Sequence, residues 1–156
     1  MLQAASLMDI FQNRILIAGC VAWVCSQAAK LVIHALINKR FQWDRMFGDG
    51  GMPSSHSATV TAVATTTGLL CGWDSPMFAI ACILALIVMH DAMGVRQETG
   101  KQAKVINSML ELFESMGRGD LTPEETLKEF VGHTRRQVFV GAALGIVIAL
   151  LIDIFV

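Results

Sequence analysis

Four stretches of this chain, residues 15–37, 57–73, 76–95 and 137–156, are apolar over a length that can cross a lipid bilayer. A helix needs about 20 such residues to span the hydrocarbon core, with a range of roughly 17–25. Strands are excluded as spanning elements, because an isolated strand leaves its backbone polar groups unsatisfied in lipid. The stretch at 57–73 is the weakest, being rich in threonine. Composition agrees: 54% of residues are hydrophobic, mean hydropathy is +0.55, and 16% are charged, against about 25% in ordinary soluble domains. The sequence predicts an all-α polytopic membrane bundle with about four transmembrane helices. Residues 1–156 are expected to form a single membrane-embedded unit. A net charge of −1 leaves no basic surface for nucleic acid.

Orientation follows from the basic residues. Of the 12 Lys and Arg, all but Arg14 and Lys30 fall in the segments joining the first span to the second and the third to the fourth. Cytoplasmic connections carry such an excess, so both are expected in the cytoplasm and both termini outside, with the protein in the cell membrane. Within the longer connection, Ile106, Met109, Leu110, Phe113 and Met116 recur at helical spacing. That predicts a cytoplasmic-side amphipathic helix over 101–116, lying on the membrane or covering the bundle mouth. A further helix is expected from Thr122 as N-cap, with Pro123 in its first turn, Glu125 completing a capping box and Gly132 ending it.

Three polar groups of residues converge on the cytoplasmic side. In 48–57, glycines lead into Ser54, Ser55 and His56 at the start of the second span. Glycines allow close backbone approach, and a helix start offers free N–H groups and a positive dipole end to a phosphate. The plain reading is a turn and an ordinary N-cap. The second group, at the end of the third span, holds His90, Asp91, Gly94, Arg96, Gly100, Lys101, Gln102 and Asn107. Ionisable groups in a span are expensive and tend to be functional. Asp91 is expected to orient a histidine or to pair with Arg96 or Lys30. The third group leads into the last span, with His133 at its mouth and Thr134 and Gln137 spaced as a capping box. In the first span Gln27, Lys30, His34 and Asn38 share one helical face, which is expected to point into the bundle as anion ligand or as polar glue between helices. Gly141 and Gly145 have the GxxxG spacing of close helix packing, within the chain or in a homodimer. Cys20, Cys25, Cys71 and Cys82 show no zinc-ligand spacing and read as small membrane-buried residues, so no metal is expected.

The strings Gly50-Gly51-Met52-Pro53-Ser54-Ser55-His56-Ser57-Ala58 and Asp91-Ala92-Met93-Gly94-Val95-Arg96, with Gly132-His133-Thr134 and the trailing Gly141 and Gly145, resemble a family of small membrane proteins. It is the divergent branch related to type 2 phosphatidic acid phosphatases and vanadium-dependent haloperoxidases, and the resemblance spans residues 27–152. It implies a membrane phosphohydrolase without cofactor, acting on a lipid phosphate or lipid diphosphate that enters from the inner leaflet. His133 would be the nucleophile and His56 the acid. Lys30 or Lys39, Arg45, Arg96, Gly51, Ser54 and Ser55 would hold the phosphate. The enzymes of the wider group place an aspartate four residues after the nucleophile and an arginine six before it; here those positions are Gln137 and Leu127. Asp91 and Arg96 are the candidates for the vacant roles. The departures also admit a second reading, a phosphate- or headgroup-binding or transport-related protein that does not turn over substrate.

Overall fold

The computed structural model describes residues 7–39, 51–117, 126–127, 129 and 132–155, and every regular element among them is helical. A short 3-10 helix, Leu7–Gln12, precedes α1, Arg14–Asn38. Then follow α2, Ser55–Cys71; α3, Pro76–Met93; α4, Val95–Ser115; and α5, Arg135–Phe155. The starts have local causes. Asn13 caps α1 by accepting the Leu16 N–H at 3.1 Å. Ser75 caps α3 by accepting the Phe78 N–H at 3.2 Å, with Pro76 in the first turn. Each cap satisfies a donor that the helix itself cannot.

Three of these helical stretches are long and apolar enough to cross a membrane: α1, α3 together with its continuation α4, and α5. The second expected span, now α2, is not among them, being 17 residues long and rich in threonine. It sits at the centre instead, packed against α1, α3 and α5. Nine of its 17 residues are buried. Three of its five threonine hydroxyls are turned back on the helix. Thr59 donates to Ser55 O at 2.9 Å, Thr61 to Ser57 O at 2.7 Å and Thr67 to Val63 O at 2.7 Å. Thr61 also lies 3.1 Å from Ala142 O, which ties α2 to α5.

Large apolar side chains face outward and small ones face inward. Val24, Val32, Ile80, Ile83, Ile87, Phe139, Val147 and Ile154 are all exposed, whereas Ala18, Ala22, Ala58, Ala62 and Ala149 are fully or almost fully buried. That inversion suits a lipid surround, in which close backbone packing rather than water exclusion holds helices together. Gly141 and Gly145 make the closest approach. A methyl group on Gly141 would collide with the Ser54 backbone, and one on Gly145 with Ala58 O and the Thr61 hydroxyl. Both glycines thus meet α2 of the same chain. The cysteines do not fill the core. Cys20, Cys25 and Cys71 are free and exposed, and Cys82 is half-buried.

α4 does not join the bundle. It leaves α3 at Gly94 and contacts only α3 among the helices. It starts at Val95, earlier than the spacing in 101–116 suggested. Gly100, Ala103 and Asn107 are buried, while Val105, Ile106, Met109, Leu112, Phe113 and Met116 are exposed. Arg45, the helix expected from Thr122 and the side chain of Asn38 lie outside the described residues.

A bulky residue at the α2–α5 seam must push the helices apart. Gly145→Val is expected to cost about 1–3 kcal/mol, the usual penalty of overpacking. In thermal unfolding of detergent-purified protein it should melt well below wild type, while Ile83→Val on the outward face of α3 leaves the transition in place.

Candidate functional site

The starts of α2 and α5 lie side by side. The Ser54 N–H donates to Gln137 O at 3.0 Å. Ser54 also caps its own helix, its side chain accepting the Ser57 N–H at 3.4 Å. At α5 the Thr134 N–H donates to Gln137 Oε1 at 2.9 Å and the Gln137 N–H to Thr134 Oγ1 at 3.4 Å, a reciprocal capping box. Two helix N-termini, each with roughly half a positive charge, therefore point into one place.

Lys30 reaches this place from α1. Its ammonium donates to Ser55 Oγ at 3.2 Å, and the side chain is 6% exposed. Gly51, in the left-handed region at φ 86, lies against the Lys30 stem. A buried cation beside two positive helix ends makes a location that favours an anion.

His133 is held by its backbone. Its N–H donates to Ala92 O at 3.0 Å, at the end of α3. Gly132 before it adopts φ 92, and a Cβ there would come within 2.5 Å of Gln97 N and 2.7 Å of the Arg96 carbonyl carbon. Only glycine lets the chain pass this close to the first turn of α4. The His133 side chain is 3% exposed, and its ring meets that of His56 edge-to-face with centroids 6.0 Å apart. A cavity of about 320 Å³ opens beside it, lined by Gly51, Gln97, Gly100, Lys101, Lys104, Glu129, Gly132, His133, Thr134 and Gln137.

Asn107 fixes the far wall. Its Oδ1 accepts the Leu127 N–H at 3.0 Å, and its Nδ2 donates to Leu127 O and to Glu129 Oε1, each at 2.9 Å. One amide 20 residues away in sequence so anchors the segment leading to His133.

Of the residues expected to act together, the structure gathers His133, His56, Lys30, Gly51, Ser54 and Ser55. Asp91 and Arg96 are paired with each other at 2.9 Å, half-exposed, rather than with a histidine and an anion. Lys39 is exposed at the end of α1, in the left-handed region at φ 51. His90 is exposed, Gln27 is buried and His34 is half-buried. Lys104 and Glu129 were not singled out in the sequence, and Lys101 was noted without a role. Their signal was the spacing of Gly100, Ala103 and Asn107, small or amide residues that mark the face of α4 turned toward protein.

The fold and site define a membrane protein of packed helices with a histidine at the floor of a cationic cavity. The sequence profile described as the divergent PAP2 family matches residues 11–148, and the chain belongs to that family. It is 35% identical to the uncharacterized membrane protein YuiD of Bacillus subtilis (strain 168), over 95% of this chain and 99% of that protein. No solved structure matches it.

Removing the Asn107 amide should loosen the cavity wall selectively. Asn107→Ala strips three hydrogen bonds, two of them from backbone groups, at about 1–3 kcal/mol. Hydrogen exchange should quicken over residues 127–133 while α2 keeps its protection.

Proposed function

We propose that this protein is a membrane phosphohydrolase that removes phosphate from a lipid phosphate or lipid diphosphate through a histidine nucleophile. The observation that carries the reading is His133, almost fully buried beside the cavity, with His56 at 6.0 Å and the Lys30 ammonium on Ser55. An in-line transfer needs phosphorus about 3–3.5 Å from the attacking nitrogen. It also needs the leaving oxygen about 2.6–3.2 Å from the acid. The two imidazoles stand on that scale.

In the proposed reaction His133 attacks phosphorus, the bond from phosphorus to the ester oxygen breaks, and His56 gives that oxygen its proton. Water then attacks the phosphohistidine, His56 takes the water's proton, and inorganic phosphate leaves with His133 restored. Lys30, Ser55 and the N–H groups of the α2 start offset the charge on the phosphoryl oxygens. Such transfer depends mostly on positioning and positive charge, and this scheme draws on no cofactor.

A lipid substrate fits the surroundings. An apolar groove of about 470 Å³ runs along the α1–α2 seam, lined by Leu16, Gly19, Cys20, Trp23, Val24, Thr59 and Val63. Thr59 is one turn from Ser55, so a chain lying in the groove would lead to the phosphate site. In this reading α2 is a fourth crossing, and the connections and the cavity face the cytoplasm. The exposed apolar residues of α4 meet the inner leaflet, so that the substrate enters sideways. A second reading, binding without turnover, is favoured by Gln137. It is engaged in the α5 capping box where a carboxylate would support His133.

Phosphate release by the purified protein, assayed against lipid mono- and diphosphates, tests the proposal. His56→Ala should lower kcat by about 10²- to 10⁴-fold, the usual worth of a general acid, and His133→Ala should abolish release. Undiminished release by His133→Ala, or none by wild type on any substrate, defeats the hydrolase reading.

A further inference from the structure

We infer that Lys101 and Lys104 of α4 form the outer half of the anion site, binding the phosphoryl group opposite Lys30. Positive charge reaches the cavity from α4. Asn107 ties the Leu127 backbone and the Glu129 carboxylate to α4, and Gly132 packs against Gln97, so α4 lies directly beside the residues that lead to His133. Lys101 and Lys104 project from the same stretch of α4 and line the cavity with His133.

The cavity is lined by two cations, with a third behind its wall. Lys30 is buried beneath it, against Gly51, which is itself part of the lining. Lys101 and Lys104 are at its open side, where Lys101 is exposed and bridged to Glu98 at 2.6 Å. At about 320 Å³ the space equals roughly ten water volumes of ~30 Å³, ample for a phosphoryl group and its hydration. The Glu129 carboxylate also lines it, and its Oε1 accepts from Asn107, which draws negative charge toward the wall. The Lys101–Glu98 bridge is an exposed pair of the kind that contributes little, so an incoming dianion can compete for the lysine. The ligand class is a phosphate monoester dianion, carried by a lipid or free.

This inference rests on the anion site of the proposed function, not on turnover. Binding of inorganic phosphate and of dioctanoyl phosphatidic acid to the full-length protein in detergent, measured by calorimetry, tests it. The Lys101→Gln/Lys104→Gln double variant should weaken binding about tenfold, and Lys101→Arg/Lys104→Arg should restore it to within about twofold. Glu98→Gln, which releases Lys101, should tighten it by about twofold or more. Equal weakening in both arms assigns the lysines to the phosphoryl group from either source; weakening in the lipid arm alone assigns them to a lipid headgroup. Affinities of the double variant within twofold of wild type in both arms overturn the inference, as does a wild type that binds neither ligand. A wild type that binds phosphate but releases none from any lipid removes the hydrolase and leaves these lysines in place.

Discussion

The seam between α2 and α5 holds the architecture together. At Gly141 and Gly145 the α5 backbone comes up against the Ser54 and Ala58 backbone of α2 and the Thr61 hydroxyl, with no side chain of its own in the way. In lipid, where apolar burial gives little drive for helix association, such contact and the dispersion it brings are the main source of cohesion. The same seam places Ser54 N–H on Gln137 O, so the two helix starts are aligned by the packing that stabilises the bundle. The proposed anion site is in this sense a by-product of register. Slide α5 by one turn and the two positive ends separate by about 5.4 Å.

Around that fixed pair the remaining parts are hung from outside the bundle. His133 is suspended between the end of α3, through Ala92 O, and the first turn of α4, through Gly132. Its placement therefore depends on two elements at once. The Asp91–Arg96 pair crosses the break at Gly94 and braces the junction of α3 with α4.

Much of this was legible because it is local. Apolar runs marked α1, α3 and α5, and Ser54, Ser75 and the Thr134–Gln137 pair announced helix starts through residue types whose oxygens accept backbone N–H groups. His56, His133, Lys30 and Ser55 were visible as polar residues in apolar surroundings, where each must have a reason. What remained hidden depends on contacts distant in sequence. The spacing of Gly141 and Gly145 identifies a close-packing face but not the partner across it. Lys39, Arg96 and Lys101 are alike as basic residues next to spans; only the Asn107 clamp to Leu127 and Glu129 decides that α4 brings Lys101 to the cavity. For Asp91 the sequence left a histidine, Arg96 and Lys30 open as partners, and the corner at Gly94 brings it to Arg96.

The threonines of α2 carry a consequence for how such a chain is assembled. A helix with this many hydroxyls partitions poorly into hydrocarbon when judged residue by residue, yet Thr59, Thr61 and Thr67 return their protons to carbonyls on the preceding turn. What the helix then presents to its surroundings is largely a coat of methyl groups. It can wait in an apolar medium for α1, α3 and α5 to close around it with three of its five threonine hydroxyls already satisfied. Self-masked polarity of this kind lets a central element be polar enough to begin a binding site and quiet enough to survive its own biogenesis.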